Sequence, residues 1–594
     1  MIGFFKRSRR PKPPPLIPQR SRPRNERRAA LPNTPVRTDG TFRRAIETGR
    51  SRLLITAAVM AFGFIAVAAR LVDLAALTPP ETASRPAYAL SAGDLETQRA
   101  TITDRNGTLV ATSLLTTALA ARPQRMLDPL GAARDLAALL PDTDADDLYA
   151  RFTSGSPFVY VHRRVTPRLE AAILELGVPG LEFERTESRV YPHGNLMAHI
   201  LGYTDVDGNG IAGIERGEDG VIRGSDEPVR LSIDLNFQHI VHSELSQAVE
   251  RFEAIGGTAI VLKVDTGEVM AMVSLPDFDP NHPGAATDDQ QFNRATLGVY
   301  ELGSTFKIFN TAMALESGIT DMDEGFDATD PIRVGRFTIR DYHARERFLT
   351  VPEIFIYSSN IGSAHMATAV GPIAQRSFME QLGMLDRLDL ELPETESPLY
   401  PSPWRPVNTM TIAYGHGLSV TPMHLASGVA TMINGGIRIE PTFLARNQAP
   451  QGSRVISEDV SLDIRRLMRL NAVEGSGSQA LVPGYFVGGK TGTAEKPDAS
   501  GYRERALISS FVAAFPMNDP EYVVYVVLDE PQGNEDTFGY ATGGWVAAPA
   551  AGAIIEQIAA VAGIQPIDEN APEIERVFAI ELPDESATLA SLRQ

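Results

Sequence analysis

Gly484-Tyr485-Phe486-Val487-Gly488-Gly489-Lys490-Thr491-Gly492-Thr493 is the stretch on which the fold turns. Its first eight residues match G-x-x-x-x-G-K-[ST], a loop that cradles phosphates when a strand precedes it and a helix begins at the Lys-Thr pair. Its last four read instead as K-T-G-T on a strand. The flanking chain decides between them. Gly492 follows the Lys-Thr pair directly, and a short polar stretch then leads to ISSFVAAFP and EYVVYVVLDE, two apolar segments with strand composition. No paired acidic strand end is apparent. The context is that of a strand, and nucleotide binding is set aside.

The same reading extends in both directions. Upstream, SIDLNFQHIVHSELSQAVERFEA is a helix with an aspartate near its start, and TAIVLKVDTGEVMAMVS is a hairpin about Asp265-Thr266-Gly267. Downstream, WVAAPAAGAIIEQIAAVAG is an apolar helix that closes the unit. A hairpin, a helical region, three consecutive strands and a helix describe an α+β domain over residues 230–563, a mostly antiparallel sheet flanked by helices. Residues 564–594 are acidic and weakly patterned and read as a tail.

Two more polar clusters precede the Lys-Thr-Gly stretch. Ser304-Thr305-Phe306-Lys307 opens STFKIFNTAMALESG, a helix stopped at Gly318. Ser304 and Lys307 share one face at i and i+3. A serine hydroxyl needs a neighbouring base to act as a nucleophile. Lys307 serves only when neutral, and burial and the positive helix N-terminus both favour that form. Ser358-Ser359-Asn360 follows 54 residues after Ser304, past the apolar EIFIY. Ser358 can pass a proton between Lys307 and a leaving amine, and Asn360 can hold a substrate amide through its donor–acceptor pair. Lys490 offers charge to a substrate carboxylate, the hydroxyls of Thr491 and Thr493 can hydrogen-bond it, and Gly492 leaves room for substrate backbone. The N–H groups of Ser304 and Thr493 would form an oxyanion hole. Each cluster alone is more often a helix cap or a turn. In this order they supply a nucleophile, a base, a proton relay and an electrophilic clamp, the requirements of acyl transfer through a serine ester.

Charge divides the chain. Residues 1–52 carry 15 Lys+Arg against Glu26, Asp39 and Glu47, a net +12, which leaves −31 on the rest of a chain whose total is −19. This basic, proline-dotted segment lacks apolar periodicity and reads as disordered, a lipid-facing tail rather than a nucleic-acid binder. Leu53–Ala69 (LLITAAVMAFGFIAVAA) is 17 residues without a charge, and LVDLAAL extends it to Leu77 as Arg70 snorkels. A transmembrane helix over 53–77 with a cytoplasmic N-terminus follows from the positive-inside rule. The absence of cysteine rules out thiol catalysis and thiolate metal sites. The 10 histidines lack ligand spacing, so neither a metal nor a cofactor is expected. His416 in Tyr414-Gly415-His416-Gly417 reads as a packing or turn residue. Residues 78–229 show no nucleophile constellation. Asp104-Arg105-Asn106-Gly107 marks a tight turn after ATIT, and Gly202–Gly217 is turn structure that lacks calcium-loop spacing.

From Arg50 onward the chain resembles the class B penicillin-binding proteins, monofunctional peptidoglycan D,D-transpeptidases, and most nearly the division-specific type. Beyond the S-x-x-K, S-x-N and K-T-G motifs, the resemblance rests on Arg99 with Asp104–Gly107, Arg189-Val190-Tyr191-Pro192, Asn293-Arg294-Ala295, Tyr414–Leu418 with Val420-Thr421-Pro422, and Thr542-Gly543-Gly544-Trp545 with Ala548-Pro549. Leu302 stands where the family commonly has proline before the Gly-Ser. The resemblance implies a penicillin-binding-protein/serine β-lactamase-like domain on a non-catalytic, dimerisation-like pedestal over 78–229. It implies that Ser304 attacks the carbonyl between the last two D-alanines of a stem pentapeptide, and that β-lactams acylate the same serine. It further implies an inner-membrane anchor at the division site, with a lipid-linked-precursor glycosyltransferase and other divisome membrane proteins as partners. An elongation-type transpeptidase and a D,D-carboxypeptidase of the same fold are the alternatives.

Overall fold

A computed structural model of the chain describes residue 58 and residues 60–65, 99–140, 143–335, 337–498 and 501–583. The basic tail over 1–52 and most of the expected span over 53–77 lie outside the described residues. Residues 60–65 are helical and exposed, within a unit that ends at Leu95. A second compact unit begins at Glu96.

In this second unit, β1 (Ile102–Thr103) turns back into β2 (Leu109–Ala121) as expected. The Asp104 carboxylate accepts the N–H groups of Asn106 and Thr108 and so closes the turn. β2 continues as the antiparallel partner of both β3 (Val159–Val165) and β4 (Leu181–Val190), while β1 pairs in parallel with β5 (Val229–Arg230). Helices α1 (Pro129–Leu139), α2 (Ala145–Thr153) and α3 (Pro167–Glu175) each start at an Asp or Thr cap followed by proline or acidic residues. Leu119, Leu136, Leu148, Phe152 and Ile173 give these elements a small core of their own. Ile102, Val110 and Tyr191 belong instead to the large core shared with the catalytic elements, so packing crosses the boundary expected at residue 229.

On the N-terminal side of that boundary, charges are buried as well. Glu215 is fully buried between the guanidiniums of Arg99 and Arg189, at 2.6 Å from each. Arg99 would keep Asp219, but removing the carboxylate would strand the buried Arg189 guanidinium, so Glu215→Ala is expected to destabilise the protein by about 3–5 kcal/mol. Thermal unfolding of the two proteins side by side checks this, and an unchanged midpoint would contradict it.

The catalytic half opens with α4 (Leu235–Arg251), capped by Asp234, and the hairpin β6 (Gly256–Lys263) and β7 (Val269–Leu275). The three later strands are β8 (Gly488–Asp498), β9 (Gly501–Phe515) and β10 (Tyr522–Asp529). Together they form one antiparallel sheet in the order β8-β9-β10-β6-β7. Its middle is apolar on both faces because alternate residues feed two cores. Ile260, Leu262, Val523 and Tyr525 face α7 (Pro422–Ile433) and share one core with α5 (Lys307–Glu316), α6 (Asn360–Val370) and α8 (Glu458–Glu474) behind it. Ala259, Val261, Val524 and Val526 meet α4 and α9 (Gly543–Ala562). Among the described residues α9 alone is long and apolar enough to cross a membrane, and it is consumed as a core helix.

The structure overturns one expectation here. Residues 564–583 do not hang free as a tail. Ile567, Ile574, Phe578 and Ile580 pack against the large core, Ile574 and Phe578 from α10 (Pro572–Phe578). Four apolar residues spread through an acidic, proline-containing stretch with a helix of only seven residues make too short a pattern to stand out, so only the surface awaiting them reveals their use.

Candidate active site

Ser304 lies in a single 3-10 turn, Gly303–Phe306, that leads into α5, so the regular helix begins at Lys307 rather than at the serine. Gly303 is in the left-handed region at φ 59°, and a Cβ there would lie 2.5 Å from the Thr493 carbonyl. Glycine is therefore what allows the serine turn to rest on the β8 backbone. The two N–H groups expected to make an oxyanion hole come from these touching segments.

Lys307 is the centre of the site. It is 1 % exposed, and its Nζ lies 2.8 Å from Ser304 Oγ, 2.9 Å from the Ser358 carbonyl, 3.1 Å from Ser358 Oγ and 2.8 Å from Asn360 Oδ1. An ammonium donates only three hydrogen bonds. Two of the four oxygens, the Ser358 carbonyl and Asn360 Oδ1, can only accept, and a neutral amine has two N–H groups for them and a lone pair left for the proton of a serine hydroxyl. Burial holds the Lys307 pKa well below the ordinary lysine value, and the nearby Lys490 lowers it further. Sequence spacing pointed to burial and the helix N-terminus. It could not place the second lysine.

Lys490 stands in mid-strand, with Lys490 opposite Val512 and Thr491 opposite Phe511 across β9. No helix starts there, and the phosphate-loop match is a coincidence of glycines. Gly489 is glycine because a Cβ would meet the Phe511 ring at 2.5 Å. Lys490 is fully buried, and burial lowers its pKa to about 7. Its Nζ reaches Ser358 Oγ at 3.2 Å. Ser358 Oγ is thus within hydrogen-bond reach of both lysines, the position a proton relay requires. The residue holds φ at 55°, a left-handed conformation uncommon outside glycine. Ser359 meanwhile is a helix cap, accepting the Gly362 N–H at the start of α6. The cap and the serine that reaches both lysines are adjacent.

Asn360 and Gly492 also have structural roles that the motifs did not reveal. Asn360 gives Oδ1 to Lys307 and donates from Nδ2 to the Arg340 carbonyl at 2.9 Å, so both its polar atoms have protein partners. Its oxygen thus helps to hold the lysine. At Gly492 a Cβ would lie 2.5 Å from both the Leu302 carbonyl and Ser510 Oγ. The space is taken by protein and lets β8 sit against the serine turn. Thr491 Oγ1 pairs with Ser476 Oγ at 2.6 Å, and Thr493 Oγ1 accepts the Gly543 N–H at 3.1 Å. His416 packs against Tyr414 with ring centroids 5.3 Å apart, as a turn residue would.

Asp341 escaped sequence reading. Its carboxylate accepts the Ser359 hydroxyl at 2.7 Å and the N–H groups of Asn360 and Ile361 at 2.6 and 2.9 Å. One side chain thereby fixes the Ser358–Asn360 turn, from 18 residues upstream and outside any motif. We expect Asp341→Ala to slow acylation of Ser304 by ~10-fold or more, as the relay loses its placement. Stopped-flow acylation with a fluorescent penicillin reads this, and an unchanged rate would contradict it.

This geometry agrees with what the chain is similar to. The penicillin-binding protein transpeptidase domain model matches residues 257–556, and the penicillin-binding protein dimerisation domain model matches 94–243. The probable peptidoglycan D,D-transpeptidase FtsI of Caulobacter vibrioides is 40% identical, the match covering 79% of this chain and 82% of the relative. The chain belongs to the class B penicillin-binding proteins. The peptidoglycan D,D-transpeptidase FtsI of Escherichia coli K12 is 31% identical, over 80% of this chain and 85% of its own length. Among solved structures, penicillin-binding protein 3 of Mycobacterium tuberculosis complexed with aztreonam shares the fold at a TM-score of 0.63 and 24% identity. It covers 79% of this chain and 97% of its own. In this class B penicillin-binding protein, then, the lysine pair and the serine relay occupy the ground between a matched transpeptidase domain's helices and its edge strand.

Proposed function

We propose that this class B penicillin-binding protein is a peptidoglycan D,D-transpeptidase that cross-links stem peptides of the septal wall and is acylated by β-lactams. The observation that carries the reading is the placement of Lys307 Nζ, 2.8 Å from Ser304 Oγ and 3.1 Å from Ser358 Oγ, with Lys490 on the far side of Ser358. Neutral Lys307 takes the Ser304 proton as Oγ attacks the carbonyl between the terminal D-alanines. The oxyanion is held by the N–H groups of Ser304 and Thr493. Ser358 hands a proton to the departing D-alanine amine, the C–N bond breaks, and an acyl-Ser304 ester remains. The amine of a neighbouring stem peptide attacks that ester, returns a proton through the same groups and frees Ser304. Lys490, with Thr491, Gly492 and Thr493, borders the place of the substrate's terminal carboxylate. Neither metal nor cofactor enters these steps.

Residues 53–77 are the membrane anchor in this reading, with residues 1–52 cytoplasmic, the catalytic domain over 230–563 periplasmic and residues 78–229 its pedestal. A lipid-linked-precursor glycosyltransferase and other division proteins are its membrane partners. The test is incubation with a fluorescent penicillin, then peptide mapping, alongside release of D-alanine from a stem pentapeptide with and without an acceptor amine. One adduct on the Ser304 peptide and cross-linked product support the reading. D-alanine release with water as the sole acceptor would replace it by a D,D-carboxypeptidase, and no adduct would sink both.

A further inference from the structure

We infer that Glu569, in the C-terminal segment, is a positioning residue for the strand that carries Lys490. The inference rests on the acyl-transfer reading above. β8 is an edge strand, with β9 as its strand neighbour on one side only. Its other side borders the serine turn and must stay open to substrate. A lysine whose hydrogen bond to Ser358 spans 3.2 Å tolerates little drift, so β8 needs holding from where it enters the sheet.

The C-terminal segment supplies that hold. Glu569 Oε1 accepts the N–H groups of Gly484 and Phe486 at 2.9 and 3.2 Å, and Oε2 pairs with Arg469 at 2.7 Å. Arg469 in turn donates to the Val487 carbonyl at 2.9 Å and lies 4.4 Å above the Phe486 ring. The Ile567 N–H donates to the Gly484 carbonyl at 2.8 Å, and Phe578 meets Phe486 edge to face. Gly484 holds φ at 86° with Pro566 filling the space a Cβ would need. Apart from the Arg469–Glu569 pair itself, these contacts fall on residues 484–487, just before Lys490, and the carboxylate joins the strand lead-in to α8 and the C-terminal segment at once. The bonds are charge-assisted and partly buried, with Arg469 and Glu569 only 13 % and 22 % exposed, so they outlast a surface ion pair.

The test compares the full chain with Glu569→Ala, Glu569→Gln and Glu569→Asp. Acylation by a fluorescent penicillin is resolved into non-covalent affinity and the rate of the covalent step, with thermal midpoints and amide hydrogen exchange on the same samples. We expect Glu569→Ala to slow the covalent step by ~10-fold while affinity holds within about two-fold. Exchange should quicken over 484–495 and stay unchanged over 304–316. Glu569→Gln, which keeps an acceptor without the charge, should fall between, and Glu569→Asp should recover part of the rate. Unchanged rate and exchange in Glu569→Ala would overturn the inference, as would exchange rising evenly across the whole sheet. A wild-type chain that takes no label would overturn the acyl-transfer reading instead, and exchange over 484–495 would still decide the role of Glu569.

Discussion

Lys307→Met will all but abolish acylation of Ser304 and yet leave a more stable protein. The base contributes its share of the barrier through one proton transfer, and losing it is expected to cost about 10²–10⁴-fold in the covalent rate. Stability moves the other way because a fully buried lysine is held against its solvation preference. Lys490 shows the sign. Its pKa falls from the ordinary 10.5 to about 7 in the folded protein. Below pH 7 folded and unfolded chains both hold the proton, and the burial penalty is fully present. Between about 7 and 10.5 the unfolded chain still holds it while the folded one does not, so stability climbs with pH. Above that both are neutral and the penalty is gone. Lys307 is displaced in the same direction, by burial and by Lys490. Removing it should therefore raise stability by roughly 1–4 kcal/mol at neutral and acid pH, with a gain that shrinks toward pH 10. Thermal melts of both proteins from pH 6 to about pH 10, beside acylation rates, check the pair of effects. Lost activity with lost stability would mean that Lys307 is a structural lysine after all.

Ser304→Ala should remove the label as completely and leave stability almost where it was. Ser304 Oγ is held by Lys307 Nζ, and its loss leaves that amine with the Ser358 carbonyl, Ser358 Oγ and Asn360 Oδ1. No charge is stranded and no cavity larger than one oxygen opens, so the change in stability should stay within about 1 kcal/mol. Non-covalent binding of the penicillin should persist, since the groups bordering its carboxylate are untouched. A covalent band surviving in Ser304→Ala would move the nucleophile to another residue. Set beside Lys307→Met, the serine variant separates chemistry from burial: both silence the site, but only the lysine variant stabilises the fold.

Much of this arrangement was legible in the residues themselves. The three motifs named the nucleophile, base and relay because helical spacing alone puts Lys307 one turn from Ser304. The strand reading of Lys490–Thr493 held because the segments after it are too apolar and too short to be anything but strands, and because Gly492 would break a helix at its first turn. What stayed hidden was long-range. Asp341 and Glu569 are ordinary surface-type acids to any local rule, and each acquires meaning only from backbone N–H groups that folding brings to it. The weak pattern after Ile564 concealed a docked segment for the same reason.

The sequence by itself determined the order of elements, the apolar sheet, the serine and lysine one turn apart, and the charge step after residue 52, since each of these depends on neighbours within a few residues. The tertiary structure alone decided which hydroxyl faces both lysines, that Asn360 serves Lys307, and that Gly492 makes room for protein. It also decided that the two lysine pKa values fall together. Those outcomes depend on burial and on distances of about 3 Å between segments as much as 132 residues apart, and no local spacing encodes them.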